Sequence, residues 1–307
     1  MTPEHPAILG TRGSRLALVQ AEECAETLRA AGVGVEVRII RTTSEHLPDT
    51  PLAVIDQRDV FTRQLDDALL SGEIDLAVHS LKDVPTELPE GISLSAVTRR
   101  HDPSDVLVSD ERYVLDGLPH EAVVATSSLR RKAQLLHHRP DLGVVGIRGN
   151  VDTRVRKMRE GAADAVVLAR AGLERLGLDA PHTVIPQDVL LPAVGQGALA
   201  VATMRDHPLR ETVREALNHP DTERAVLAER AMLRALEGGC RVPVGATSTL
   251  SGRVVRLGGL VISPDGALAY RGEAEGEEPE EVGRRLAFAL LEQGAAVVLG
   301  EVREVRR

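Results

Sequence analysis

The chain has 307 residues, more than one compact core takes, so two or three domains are expected. Apolar residues make up 43% of it, an ordinary globular share. It has no Trp and only two Tyr and two Phe, which argues against nucleic-acid binding by base stacking, and its net charge of −9 argues against a generic nucleic-acid or anionic-membrane partner. No apolar run is long enough to span a bilayer, and the N-terminus lacks a basic-then-apolar export pattern. With two cysteines, Cys24 and Cys240, the expectation is a reduced, cytoplasmic protein; a monomer is expected as well, though not from the cysteine count. Ten histidines show no ligand spacing, so no metal site is expected. Lysine is rare, with only Lys82, Lys132 and Lys157, so a lysine that falls at a candidate site is informative.

Ala7-Ile8-Leu9 reads as a buried strand that ends in Gly10-Thr11-Arg12-Gly13-Ser14. A helix follows to Gly32 with Leu18, Ala21, Ala25 and Leu28 on one face, then a strand over Val35 to Ile40. This is a βαβ unit, so a parallel sheet is expected. The helix start at Ser14, with Arg12 before it, fits either an anion site or plain capping. Thr42 to Asp59 reads as a loop, and about Asp59 to Ser71 as a helix. Ile74 to Val78 is a strand that runs into His79-Ser80-Leu81-Lys82-Asp83. Open α/β sheets keep their sites at carboxyl strand ends. Lys82 beside Asp83 there offers one cation and one carboxylate, or a surface ion pair of little consequence.

Arg99 to Asp105 looks like a crossing into a second domain. Val123-Val124-Ala125 is a strand ending in Thr126-Ser127-Ser128, and the next helix has Arg130 and Arg131 in its first turn. Cations there oppose the helix dipole, which suggests that they serve a bound anion. Val144 to Ile147 repeats the arrangement, ending in Arg148-Gly149-Asn150 with Arg154 close behind. Ala165 to Leu168 is a further strand, followed by a helix through Arg170 and Arg175 to Gly177. Several strand ends thus aim Arg, Ser, Thr and Gly at one expected cleft, in a chain of negative net charge. Arginine suits bidentate capture of carboxylates, so the expected ligand carries several carboxylates or phosphates. There is no Walker A or complete dinucleotide fingerprint, which disfavours a nucleotide.

Leu190 to Leu199 fits a hinge, with Leu199 to Ala202 a strand returning to the first domain and Asp206 to Leu217 a short helix. A helix capped by Asp221, with Ala225, Ala228, Met232 and Leu236 on one face, runs into Gly238-Gly239-Cys240-Arg241. Cys240 in this Gly/Pro-bounded loop is either a thiol activated by Arg241 or a small buried hydrophobe. Short strands over Ala246 to Leu250, Val254 to Leu260 and Leu268 to Glu273, then a helix over Pro279 to Gln293, make a small α+β domain. The residues alone also admit a non-catalytic two-lobed anion binder, or thiol-dependent acyl transfer at Cys240.

Six segments, in order along nearly the whole chain, resemble the porphobilinogen deaminase family: Thr11-Arg12-Gly13-Ser14, His79-Ser80-Leu81-Lys82-Asp83-Val84-Pro85, Thr126-Ser127-Ser128 with Arg130-Arg131, Arg148-Gly149-Asn150-Val151 with Thr153-Arg154, Leu191-Pro192-Ala193-Val194-Gly195-Gln196-Gly197-Ala198, and Gly238-Gly239-Cys240. The resemblance implies two periplasmic-binding-protein-like (type II) α/β domains with a cleft between them, over residues 1–98 with 199–217 and over 99–198. A small C-terminal α+β domain over 218–307 completes the expected architecture. It implies a covalent dipyrromethane cofactor on Cys240 through a thioether, with four molecules of the substrate porphobilinogen added to it, each with loss of ammonia, and hydrolytic release of hydroxymethylbilane. Asp83 matches the catalytic aspartate. Lys82, Ser128, Arg130, Arg131 and Arg148 match cofactor-binding positions. Arg12, Ser14, Thr126, Ser127, Arg148, Gly149, Asn150, Arg154 and Arg175 match substrate-binding ones. The stretch Asp56 to Gln64 departs from the family: Arg63 keeps a cation, but the usual glycines and glutamate are missing.

Overall fold

The computed structural model describes residues 5–41, 62–236 and 243–304, the last four without their side chains. The chain divides into two compact units, Met1–His101 with Ala198–Glu223, and Asp102–Gly197 with Arg224–Arg307.

The first unit contains β1 (Ala7–Thr11), α1 (Arg15–Ala30), β2 (Val35–Ile39), α2 (Arg63–Leu70), β3 (Leu76–Ser80) and β4 (Ile92–Val97), joined later in the chain by β10 (Leu199–Met204) and α6 (Arg210–Leu217). The sheet order is β2-β1-β3-β10-β4. β1 runs parallel to β2 and β3, while β10 is antiparallel to β3 and β4. Strands covered on both faces need near-continuous apolar runs, and β1 and β3 have them. On one face Ala21, Cys24, Ala25 and Leu28 of α1 pack with Leu9, Leu76 and Val78. On the other, Leu65, Ala68 and Leu69 of α2 pack with Ala77, Ile92 and Ala202.

The second unit contains β5 (Asp105–Val108), β6 (Val123–Ala125), α3 (Leu129–His138), β7 (Gly143–Val145), α4 (Val151–Lys157), β8 (Ala165–Ala169), α5 (Arg170–Leu176) and β9 (His182–Val184). Its first sheet has the order β7-β6-β8-β5-β9, with β6 parallel to β7 and β8, and β5 antiparallel to β8 and β9. Order and strand directions repeat those of the first unit, with β5 in the place of β10. Both five-stranded sheets therefore have the expected type II pattern.

The same unit holds most of α7 (Pro220–Ala235), then β11 (Val244–Ser251), β12 (Val254–Ile262), β13 (Ala269–Gly276), α8 (Pro279–Leu290) and α9 (Ala296–Glu304). The three strands form an antiparallel meander. Successive residues of a strand face opposite sides, and β12 serves two cores. Val255, Leu257 and Val261 meet Met232, Leu236, Leu286 and Leu290, whereas Leu260 and Ile262 meet Ala133 of α3 and Leu191.

The turn between β12 and β13 fits closely over α3. Gly266 has φ +79, and a Cβ there would lie 2.6 Å from the Ala133 carbonyl oxygen and 2.8 Å from the His137 nitrogen. Gly266→Ala is expected to destabilise the second unit by about 3 kcal/mol, from strain and backbone overlap together, as read by chemical denaturation.

Several boundaries differ from expectation. α7 starts at Pro220, not after an Asp221 cap: proline suits the first helical position, and His219 Nδ1 accepts the Thr222 N–H at 3.2 Å. α6 starts at Arg210 rather than Asp206. α2 is Arg63–Leu70, and the Thr42 to Asp59 loop lies outside the described residues. β4, β5, β9 and α9 are additions to the expected elements; β4 and β9 lie at sheet edges, where sequence patterns are weakest.

Candidate functional site

In the first unit the site residues leave neighbouring strand ends. β1 runs into Arg12 and Ser14, and β3, its partner, runs through Ser80 into a tight 3₁₀ turn over Leu81–Asp83. Leu81 is buried and its N–H donates to the Ala198 carbonyl at 3.0 Å, so the start of β10 pins the turn. That contact leaves Lys82 and Asp83 half-buried, side by side. Ser14 caps α1: its Oγ accepts the Ala17 N–H at 3.3 Å. Its hydroxyl thus has the capping task. Gln20 Nε2 donates to Ser80 Oγ at 2.9 Å, which ties α1 to the end of β3. His79 sits just before this turn. Burial and then the Arg12 charge push its pKa down to about 4, so it is a neutral imidazole at pH 7.

In the second unit the site residues leave the carboxyl ends of β6 and β7. Thr126 Oγ1 accepts the Ser128 N–H at 3.2 Å, and Ser128 Oγ caps α3 by accepting the Arg131 N–H at 3.4 Å. Ser127 Oγ donates to the Ile147 carbonyl at 2.6 Å and accepts the Ile147 N–H at 3.0 Å. It therefore joins the two strand ends. The turn after β7 carries Arg148, Gly149 with φ +115, and Asn150 at the cap position of α4. Arg154 Nε donates to the Gly149 carbonyl at 2.7 Å. Arg175 on α5 donates from both terminal nitrogens to the Gly197 carbonyl at 3.3 Å.

Arg130 and Arg131 differ from expectation. Each is 6% exposed, and each makes an ion pair of 2.8 Å with Asp105, which is 0% exposed. The anion that offsets two cations in the first turn of α3 is thus internal. Arg130 also donates to the Leu191 carbonyl at 2.5 Å, and Arg131 to the Val167 carbonyl at 3.0 Å. Burial pushes the Asp105 carboxyl up, but the Arg130 and Arg131 charges outweigh it and hold its pKa at about 2. The trio stays ionised, with one positive charge in excess.

Three residues of this region are not singled out as site residues by the sequence. Asp105 is the first; two adjacent arginines on the buried side of a helix start imply an acid, but its position depends on the sheet. Gln196 Nε2 donates to Asp105 Oδ1 at 2.8 Å and to the Pro103 carbonyl at 2.6 Å. Glu229 of α7 is fully buried, and accepts the Gly195 N–H at 2.8 Å and the Ser248 hydroxyl at 2.6 Å. Cys240 lies outside the described residues; α7, the helix that leads toward it, has Ala225, Ala228 and Met232 buried on one face as expected. Cys24 is buried in the core of the first unit.

Among the described residues no cluster of His, Cys, Asp and Glu could hold a metal ion, and no helix is long and apolar enough to cross a membrane. Residues 7–212 match the family model described as porphobilinogen deaminase, dipyromethane cofactor binding domain, and residues 224–292 match that of the porphobilinogen deaminase C-terminal domain. A porphobilinogen deaminase of Rubrobacter xylanophilus is 71% identical over 299 residues, covering 97% of this chain and 98% of the relative. One from Desulforudis audaxviator is 49% identical over 302 residues, covering 96% and 97%. Among solved structures, a periplasmic substrate-binding protein of an ABC transporter from Coxiella burnetii aligns at 16% identity with a TM-score of 0.42, over 73% of this chain and 94% of that one. With both family models matched in chain order and such identity over nearly its full length, the chain belongs to the porphobilinogen deaminase family.

Proposed function

We propose that Asp83 is the catalytic carboxylate of this enzyme, that Cys240 holds its cofactor through a thioether, and that the cationic strand ends hold the carboxylates of cofactor and substrate. The enzyme belongs to tetrapyrrole synthesis: it is a hydroxymethylbilane synthase that carries a dipyrromethane cofactor. Four porphobilinogens are condensed in turn. Each condensation breaks the aminomethyl carbon–nitrogen bond of one porphobilinogen and the carbon–hydrogen bond at the free pyrrole carbon that it joins, forms one carbon–carbon bond and releases the amine with that hydrogen as ammonia; hydrolysis gives the linear tetrapyrrole hydroxymethylbilane. This makes the enzyme a transferase. In this reading the enzyme acts as a monomer in the cytoplasm.

The donor set fits an oligopyrrole that carries several carboxylates. Arg12 and Lys82 follow strands of the first unit; in the second, Thr126 and Ser128 follow β6 and Arg148 follows β7, with Arg154 on α4 and Arg175 on α5, while Ser127 ties the ends of β6 and β7 together. Guanidinium groups give such carboxylates charge-assisted, paired hydrogen bonds. Arg130 and Arg131 add the one positive charge that Asp105 leaves uncompensated. Ser14 and Asn150 stand at the N-cap positions of α1 and α4, with Gly149 just before the second, and helix starts of this kind favour an anion. When bound, dipyrromethane supplies the primer end to which the first porphobilinogen is joined.

The observation that carries this reading is the position of Asp83. A buried Leu81 pins its turn, so the carboxylate is held beside Lys82 at a fixed strand end rather than on a loose surface loop. So held, Asp83 stabilises positive charge as it develops on a pyrrole ring and holds a proton at a pyrrole nitrogen. Lys82, next to it on the same turn, offers its ammonium to a carboxylate of cofactor or substrate.

Intact mass tests the attachment. Protein from a host that makes porphobilinogen is expected to exceed its sequence mass by two linked pyrrole units, and Cys240→Ser to lose that excess together with all turnover. An unmodified wild-type chain, or an excess that survives Cys240→Ser, would refute the thioether at Cys240.

A further inference from the structure

We infer that Lys157 is a positioning residue that, together with Arg154, holds the turn carrying Arg148 in its binding conformation. The inference rests on the reading above that Arg148 engages substrate carboxylates.

Gly149 has φ +115, a conformation open to glycine, and this turns the peptides on either side of it away from the helical ladder of α4. The first ladder bond of α4 uses the Asn150 carbonyl, which accepts the Arg154 N–H at 2.9 Å. The two carbonyls before it, of Arg148 and Gly149, need other donors. Both find one on α4. Arg154 Nε donates to the Gly149 carbonyl at 2.7 Å, and Lys157 Nζ to the Arg148 carbonyl at 3.2 Å. Residues three apart lie on one helix face, so the two cations reach back over the same side of the turn. Thr153 closes the turn from beneath: a Cβ on Gly149 would lie 2.5 Å from its Cγ2. The turn is therefore fixed from three sides by one helix.

This arrangement explains why one of only three lysines in the chain is placed here. A long, flexible ammonium reaches nine residues back to a carbonyl, which a short neutral donor at the same position does not span. Neighbouring cations have other tasks: Arg156 of α4 pairs with Glu160, and Arg159, just beyond α4, with Asp110. With its carbonyls held, the turn keeps the Arg148 side chain and the N–H groups of Gly149 and Asn150 in place before any ligand arrives. Ordering them on binding would otherwise weaken affinity.

The test combines kinetics with amide exchange of the enzyme in the absence of substrate. In Lys157→Met, exchange of the peptide that covers Gly146 to Asn150 is expected to accelerate at least tenfold, with α5 unchanged. KM for porphobilinogen is expected to rise at least fivefold, and kcat to stay within twofold. Lys157→Arg is expected to restore both quantities. Lys157→Gln, shorter and uncharged, is the second variant should the methionine variant fold poorly, and is expected to give the same two changes. Unchanged exchange and unchanged KM in Lys157→Met, beside a raised KM in Arg148→Gln, would overturn the inference alone. An unchanged KM in Arg148→Gln would overturn the reading of Arg148 itself.

Discussion

Asp83→Asn is expected to lower kcat at least about 100-fold, the usual scale for removing a positioned acid–base group or a charge that stabilises the transition state. The substitution keeps the shape of the side chain and one acceptor oxygen, and replaces the other with an NH₂ donor. It removes the negative charge, and with it the ability to hold and return a proton. The turn does not depend on that charge: Leu81 is buried and its N–H is bound to Ala198, while Val84 N–H closes the turn on the Leu81 carbonyl at 3.1 Å. The variant is therefore expected to melt within about 2 °C of the parent, since half-buried polar changes outside a network usually stay within ~0.5 kcal/mol. Product formation under saturating porphobilinogen, with melting measured in parallel, checks both halves. A variant that folds and turns over at the parental rate would remove Asp83 from the chemistry. A protein that merely bound polycarboxylates would retain affinity in this variant, so the loss of turnover also separates an enzyme from a binder.

The strand ends were legible because each combines the same three signals: an apolar run of strand length, then Gly, Ser or Thr, then a helical period. Ala7 to Ser14, Val123 to Ser128 and Val144 to Asn150 all have them, and each forms a strand, a turn and a helix. The strands that return against the parallel ones were harder. β5 is four residues inside an irregular stretch, and β9 three; their pairing comes from the sheet, not from their own pattern. The charges were legible as an excess of arginine but not as individual tasks. Arg130 and Arg154 look alike in sequence. One pairs with Asp105, 25 residues back, and the other donates its Nε to a carbonyl five residues back. Only the second of these is local enough to read from spacing. The Cys240 loop, expected from its glycines, lies outside the described residues.

Asp105→Asn is expected to be the most destabilising single change at this site, by about 3–5 kcal/mol, because it leaves two buried guanidinium groups without their counter-charge. Asp105 is fully buried and is shared by Arg130, Arg131 and Gln196, so one substitution disturbs α3, β5 and the segment before β10 together. Acid gives the same test without a mutation. The folded pKa of about 2 lies below the ordinary 3.8. A depressed carboxyl stabilises the fold above the unfolded pKa, and that contribution is lost as pH falls from about 4 to about 2. Denaturation of the parent is expected to become easier across this window, and the slope in Asp105→Asn to be shallower by up to one proton. Apolar replacement of all three charges, as in Asp105→Leu with Arg130→Met and Arg131→Met, is expected to recover much of the stability, since a buried ion pair and a packed apolar cluster are often near equal. The excess positive charge would be gone from that triple variant. If the trio serves only the fold, the triple variant should retain parental KM for porphobilinogen; if its remaining charge acts on substrate carboxylates, KM should rise although the fold is restored.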